Sequence, residues 1–142
     1  MQRIVLDCSI TMSWCFQDET TDPSMTLLGS LHTVSLHVPA LWTLETANAL
    51  ATAHRRGRIN DDDLTASLLF LEMLPLEIDN RGASASLTEV LPLALAFELT
   101  AYDATYLELA MRIEAPLCTL DSRLQSAAKR AGIDTHEIAH ED

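Results

Sequence analysis

Short apolar runs alternate with longer amphipathic stretches along this chain. The short runs are rich in β-branched residues and too short for helices, so they predict buried strands. The last run alternates apolar and polar positions, which is typical of an edge strand. The predicted strands are residues 3–7, Val34–Val38, Leu76–Ile78, Leu117–Leu120 and Ile133–Ile138.

The longer stretches place apolar residues at helical spacing, and several begin at capping signals. We expect helices at residues 10–16, 41–57, 104–114 and 122–131. Capping residues, proline at the first helical position and acids in the first turn predict the other helix starts. These starts are Asp22-Pro23, Asn60 ahead of Asp61–Asp63, and Ser86-x-x-Glu89 ahead of Val90–Leu99.

Strands that alternate with helices predict an α/β fold, in which helices cover both faces of a parallel sheet. The chain has 142 residues, of which 48% are hydrophobic and 21% charged, a composition typical of a globular protein. This length suits one domain, so we expect a single domain over residues 1–142. The sheet is expected to be mostly parallel, with four or five strands.

The charge balance is strongly acidic. Nine Lys and Arg residues against 21 Asp and Glu residues give a net charge of −12, without the basic footprint of bulk nucleic-acid binding. A carboxylate pocket that recruits a divalent cation would reverse the sign locally, so an enzyme acting on an anionic substrate is compatible with this charge. Arg favours bidentate phosphate contacts. The candidate contacts are Arg55, Arg56, Arg58 and Arg123.

The sequence predicts a cytoplasmic protein with no membrane association. The first residues form no signal-peptide pattern, and no apolar run reaches membrane-spanning length. The three cysteines form no Cys-x-x-Cys pair and suit buried, reduced thiols.

Four acids stand where an α/β fold places ligand-binding groups. Asp7 and Asp121 follow predicted strands, and ligands of open α/β sheets bind beyond the carboxyl ends of the strands. Asp103 lies at a loop-to-helix junction, and Glu45 lies beside the apolar stripe of its helix, where an unpartnered acid is unfavourable. Taken singly, Asp103 and Asp121 are also compatible with helix N-caps.

Other chemistries fail on spacing. No glycine lies between residues 1 and 28 to cradle a phosphate. Ser9 stands where a haloacid-dehalogenase-like phosphatase has its second Asp, and Cys118 and Arg123 are too close for a thiol phosphatase. The histidines show no paired zinc-ligand spacing.

The four acids and their neighbours carry a recognisable pattern. The chain resembles the PIN-domain ribonucleases, and most closely the VapC-type toxins of bacterial and archaeal toxin–antitoxin pairs. The resemblance spans about 120 residues and rests on the order and spacing of the acids. The matching segments are Ile4–Ser9, Pro39–Leu50 with Glu-x-x-Asn-x-Leu, Arg55–Ile59, Tyr102–Leu107 with Tyr-Asp-Ala, and Thr119–Leu124.

The resemblance implies a PIN-like three-layer α/β/α fold and a metal-dependent endoribonuclease that leaves a 5′-phosphate and a 3′-hydroxyl. The implied catalytic quartet is Asp7, Glu45, Asp103 and Asp121, in which Asp7, Asp103 and Asp121 would hold Mg²⁺ or Mn²⁺, as suits oxygen ligands. Glu45 would hold a second ion or orient the attacking water. The supporting residues are Ser9, Thr119 and Asn48.

The resemblance also implies partners: an RNA substrate, a cognate antitoxin and a second copy of the chain in a homodimer. The arginines at positions 55, 56, 58 and 123 become candidate RNA contacts, although the first three equally suit the C-terminal end of a helix. The alternative function is a non-catalytic PIN-like binding module that acts through a protein partner.

Overall fold

The computed structural model describes residues 1–135, except for the side chains of residues 82 and 83. Four parallel strands form one sheet in the order β3-β2-β1-β4. They are β1 (Gln2–Leu6), β2 (Val34–Pro39), β3 (Leu76–Asp79) and β4 (Leu117–Cys118). The predicted α/β fold with a parallel sheet is confirmed.

The helices follow the strands in the predicted alternation. They are α1 (Cys8–Cys15), α2 (Asp22–Gly29), α3 (Leu41–Arg55), α4 (Asp61–Glu72), α5 (Gly82–Ala85), α6 (Leu91–Phe97), α7 (Ala101–Ile113) and α8 (Ser122–Arg130). A π-helical turn, Ser86–Val90, joins α5 to α6, and 3₁₀ turns lie at Gln17–Glu19 and Leu31–Thr33. Within residues 1–135, no helix combines the length and the apolar character needed to cross a membrane.

The core lies on both faces of the central strands. Ile4, Val5 and Leu6 are completely buried, as expected for a parallel strand covered on two sides. Leu36 on β2 and Leu117 on β4 continue the same hydrophobic cluster on either side of β1. Because β1 is central, the residue that follows it is held at the middle of the carboxyl edge of the sheet.

Strand β4 is shorter than the predicted Leu117–Leu120. After Cys118 the chain leaves the ladder, because the Thr119 hydroxyl turns to Asp7 and the Asp121 N–H turns to that hydroxyl. Of the predicted strand Ile133–Ile138, one parallel bridge from Leu117 to Thr135 is present, and residues 136–138 lie outside the described residues.

Two predicted helix starts are wrong in detail. Helix α2 is capped by Thr21 instead of Asp22, because the Thr21 hydroxyl accepts from the Ser24 N–H in a capping box. Ser86 is not an N-cap, since its own dihedral angles are helical and the Glu89 carboxylate accepts from Arg81 at 2.7 Å. By contrast, the capping box that begins α4 at Asn60 is present.

Candidate active site

Asp7 follows β1 directly and is the most deeply buried acid of the quartet, 6% exposed. Its carboxylate caps α1, with Oδ1 accepting from the Ser9 N–H at 3.1 Å and the Ser9 hydroxyl at 2.5 Å. Oδ2 accepts from the Thr119 hydroxyl at 2.6 Å. Burial raises the pKa of Asp7 to about 6, although these hydrogen bonds act to lower it. The structure thus places both predicted hydroxyl supports on Asp7.

The same two hydroxyls tie Asp7 to the turn between β4 and α8. The Ser9 hydroxyl accepts from the Leu120 N–H at 2.9 Å, and the Thr119 hydroxyl accepts from the Asp121 N–H at 3.0 Å. A hydroxyl can donate one hydrogen bond and accept others at once. The orientation of Asp7 and the position of Asp121 are therefore fixed by one network.

Glu45 lies in the first turns of α3, half-buried, and its Oε1 accepts from the Tyr106 hydroxyl at 2.5 Å. Burial raises the pKa of Glu45, the hydrogen bond from Tyr106 lowers it, and the negative charge of Asp103 raises it. Burial raises the pKa of Tyr106, and the hydrogen bond to Glu45 and the negative charges of Glu45 and Asp7 raise it further. Glu45 therefore contacts Tyr106 and lies within electrostatic range of Asp103, and Tyr106 lies within electrostatic range of Asp7.

Asp103 is in the first turn of α7 but does not cap it. The Thr100 hydroxyl caps α7 by accepting from the Asp103 N–H at 3.1 Å, which leaves the Asp103 carboxylate free of that task. Burial raises the pKa of Asp103, and the charge of Asp121 raises it further, whereas Arg123 acts to lower it. The N-cap alternative for Asp103 is therefore wrong.

Asp121 is exposed and does cap a helix. Its Oδ1 accepts from the Arg123 N–H at 2.9 Å at the start of α8. Its Oδ2 makes no hydrogen bond with any residue of the described chain. Asp121 can therefore cap α8 through Oδ1 and still offer Oδ2 as a candidate metal ligand.

The exposure of the four acids increases from buried Asp7 through half-buried Glu45 and Asp103 to exposed Asp121. The region that these four acids line is called the acidic cleft below. Among residues 1–135, no three His, Cys, Asp or Glu side chains stand close enough together to enclose a metal ion. Mg²⁺ usually keeps several waters and binds through one or two carboxylates, so a spaced, all-oxygen set suits it. The donor chemistry of Asp7, Asp103 and Asp121 therefore fits Mg²⁺ or Mn²⁺ through direct and water-mediated contacts.

The other predicted residues fall in different places. Asn48 is exposed on α3, and its side chain makes no hydrogen bond with the described residues. Arg123 lies close enough to influence Asp103 and has no ion pair within residues 1–135. Of the three arginines after α3, Arg58 is engaged inside the molecule, donating to Asp18 at 2.6 Å and to Glu19 at 2.7 Å. Arg55 and Arg56 are exposed and make no ion pair in that same part of the chain.

Tyr106 is the site residue that sequence reasoning missed. It lies three residues after Asp103, so the two share one face of α7. A tyrosine in an apolar, buried stretch needs a hydrogen-bond partner for its hydroxyl, so the sequence indicated that Tyr106 has such a partner. The partner was not readable, because Glu45 is 61 positions away in the chain.

A second concavity, lined by none of the four quartet acids, lies between the end of α1 and α4. This α1–α4 groove has a volume of about 810 Å³. The Arg58 guanidinium sits over the Phe16 ring at 4.3 Å on one side of it. Its walls include the aromatic residues Trp14, Phe16 and Phe70 and the acids Asp18 and Asp63.

Fold and site together define a class: a three-layer α/β/α domain with an acidic cleft at the carboxyl edge of a four-stranded parallel sheet. A family model described as "PIN domain" matches residues 4–130. The chain belongs to the PIN domain family.

Comparison with individual proteins agrees with this membership. The chain is 33% identical over 104 residues to "Ribonuclease VapC1" of Mycobacterium tuberculosis, covering 73% of this chain and 76% of that protein. Among solved structures, PAE2754 from Pyrobaculum aerophilum superposes with a TM-score of 0.67 at 22% identity, covering 99% of this chain and 98% of the other. VapBC2 from Rickettsia felis, solved in complex with a promoter DNA fragment, superposes with a TM-score of 0.69 at 14% identity. This match covers 95% of this chain and 98% of the other.

Proposed function

We propose that this protein is a Mg²⁺- or Mn²⁺-dependent endoribonuclease and the toxin of a toxin–antitoxin pair. The observation that carries the proposal is the acidic cleft, in which Asp7 is buried and makes no ion pair with any side chain of residues 1–135, while Glu45, Asp103 and Asp121 are progressively more exposed. Burying an ionised carboxylate costs free energy unless a cation lies beside it. The name of the Mycobacterium tuberculosis relative, a ribonuclease, supports the reaction class.

The chain's own residues divide the work. Asp7, Asp103 and Asp121 would hold the cation, and Ser9 and Thr119 keep the Asp7 carboxylate in one orientation. When bound, such a cation offsets charge at the scissile phosphate and lowers the pKa of a coordinated water.

Glu45 would orient the attacking water and take its proton. Its Oε1 is held by Tyr106, and its Oε2 makes no hydrogen bond with the described residues, which leaves Oε2 for the water. A raised pKa suits a general base, because the ideal pKa of such a group approaches the working pH.

The first test joins metal binding to activity. Calorimetric titration with Mn²⁺ should show binding to the wild-type chain, and the same protein should cleave RNA only when the metal is present. Asp7→Asn should lose both. The matched control is Asp62→Asn, because Asp62 is exposed in the first turn of α4, away from the cleft. Cleavage that persists in excess EDTA would contradict the metal dependence.

The cognate antitoxin is proposed to reach two surfaces. An Arg or Lys side chain would enter the acidic cleft, and apolar side chains would fill the α1–α4 groove, whose aromatic and acidic walls suit a partner that is both apolar and basic. The Rickettsia felis structure, which holds VapBC2, supports the existence of such a partner.

We further propose a homodimer, for which the π-helical turn and α6 together offer an exposed stripe of Leu87, Leu91 and Leu95 at helical spacing. Light scattering on the purified chain tests the dimer. Titration with the product of an adjacent reading frame tests inhibition. A strict monomer that keeps cutting RNA in the presence of that product would contradict both proposals.

A further inference from the structure

Tyr106 joins α7 to α3 at the floor of the acidic cleft. Its ring is buried, with 2% of the residue exposed, in the main hydrophobic cluster. Its hydroxyl reaches out of that cluster and donates to Glu45 Oε1 at 2.5 Å. The core thus projects one polar atom into the candidate active site, and that atom meets a member of the quartet.

This contact is the only hydrogen bond that the Glu45 carboxylate makes with residues 1–135. A glutamate side chain has several rotatable bonds, and holding it in one orientation loses conformational entropy. Neighbouring Asp103 repels it, since both carry negative charge when ionised. Tyr106 is therefore what sets the position of Glu45 in the metal-free protein.

We infer that Tyr106 is a positioning residue for the cleavage reaction, acting through Glu45: its hydroxyl holds Oε1 so that Oε2 faces the cleft. The inference rests on the proposed function and adds a residue that the acidic quartet does not contain. A purely structural alternative exists, in which Glu45 merely satisfies a buried tyrosine. The two differ in whether the effect of removing the hydroxyl depends on Glu45.

The contact itself is tested in the metal-free protein by proton NMR. A hydroxyl proton in a short, half-buried hydrogen bond exchanges slowly with water and gives a resolved downfield resonance. We expect this resonance in the wild type and in Tyr102→Phe. It should be missing in Tyr106→Phe and in Glu45→Ala. Tyr102 is the matched control because it is the other tyrosine of α7 and is 63% exposed.

The role is tested by a double-mutant cycle on single-turnover cleavage of RNA with Mn²⁺. Tyr106→Phe should slow the step roughly 10- to 100-fold at saturating RNA, the scale of a misplaced catalytic group, with the RNA concentration for half-saturation unchanged. Adding Tyr106→Phe to Glu45→Ala should cause no further loss, because the hydroxyl would then have nothing to position.

Losses that multiply in the double variant would overturn the inference while leaving the proposed function standing. A wild-type protein that does not cut RNA would contradict the proposed function, and the inference with it. Should Tyr106→Phe fail to fold, Glu45→Asp withdraws the carboxylate and leaves the core intact. A wild-type cleavage rate in Glu45→Asp, with the hydroxyl resonance lost, would equally overturn the inference.

Discussion

The Asp7 carboxylate lies where burial disfavours its charge. Hydrogen bonds from Ser9 and Thr119 offset part of that penalty, yet the pKa of Asp7 still rises to about 6 from an ordinary value of 3.8. In the unfolded chain this group titrates near its ordinary value. Between these two values Asp7 binds more protons in the folded protein than in the unfolded chain, so the contribution of Asp7 to stability rises as the pH falls.

The metal-free protein should therefore gain stability when Asp7 loses its charge. Asp7→Asn should raise the free energy of unfolding at pH 7 by up to about 3 kcal/mol, the equivalent of a shift of about two pKa units. The Asn amide can still accept at Oδ1 from Ser9 and can donate to the Thr119 hydroxyl oxygen. Urea unfolding in EDTA measures this difference.

The same variant changes how stability depends on pH. The destabilisation from ionised Asp7 is complete above about pH 6 and disappears below about pH 4. The difference in unfolding free energy between wild type and Asp7→Asn should therefore shrink to near zero over that window. A difference that stays constant with pH would contradict the raised pKa of Asp7.

At the scale of elements, the cleft exists because β1, β4, α3 and α7 each bring one acid to the same sheet edge. Sequence patterns predicted these strands because buried parallel strands appear in the sequence as apolar runs. They also predicted the start of α4, because Asn60 caps that helix by local hydrogen bonding alone. Patterns failed where a distant or competing partner decided the outcome. Arg81 takes Glu89 away from a capping box, and Thr119 leaves β4 to reach Asp7.

Helix α7 is fastened to β3 by Arg112. Its guanidinium donates to both oxygens of Asp79, at 3.0 and 2.7 Å, and to Glu108 at 2.9 Å, and all three side chains are mostly buried. Hydrogen bonds from Arg112, and to a smaller extent its charge, lower the pKa of Asp79. This contact holds the helix that carries Asp103 and Tyr106 against the sheet.

Arg112→Gln should lower the free energy of unfolding by about 2 kcal/mol, because it leaves two carboxylates without their cation. The acid-induced loss of stability below about pH 4 should also weaken, since the Asp79 pKa returns toward its ordinary value. Arg81→Gln is the control: its pair with Glu89 is exposed, and its removal should change stability by less than about 1 kcal/mol. Equal effects of the two variants would contradict the role of Arg112.

At the scale of the whole molecule, the net charge of −12 repels RNA at long range, so attraction must come from local arginines. Composition predicted this acidity but could not tell which arginines are free. The structure separates Arg58, bound to Asp18 and Glu19, from Arg55 and Arg56, which are exposed at the end of α3.

Replacing Arg55 and Arg56 together by Ser should weaken RNA binding and reduce the slope of log affinity against log salt by roughly 1.4, the value for two contacts to a single strand. Fluorescence anisotropy with catalytically inactive Asp7→Asn protein measures the slope without cleavage. Arg58→Ser is the control and should leave the slope unchanged. An unchanged slope in the double variant would assign Arg55 and Arg56 to the helix end alone.

The central claim, that the acidic cleft is a metal-dependent ribonuclease site, is tested most directly by single-turnover RNA cleavage across the quartet. The account predicts Mn²⁺-dependent cleavage by the wild type and by Asp62→Asn. It predicts losses of 100-fold or more in each of Asp7→Asn, Glu45→Gln, Asp103→Asn and Asp121→Asn, on the order expected for removing a group that acts in the transition state. Cleavage at the wild-type rate by any of these four quartet variants, or by the wild type without metal, would contradict it.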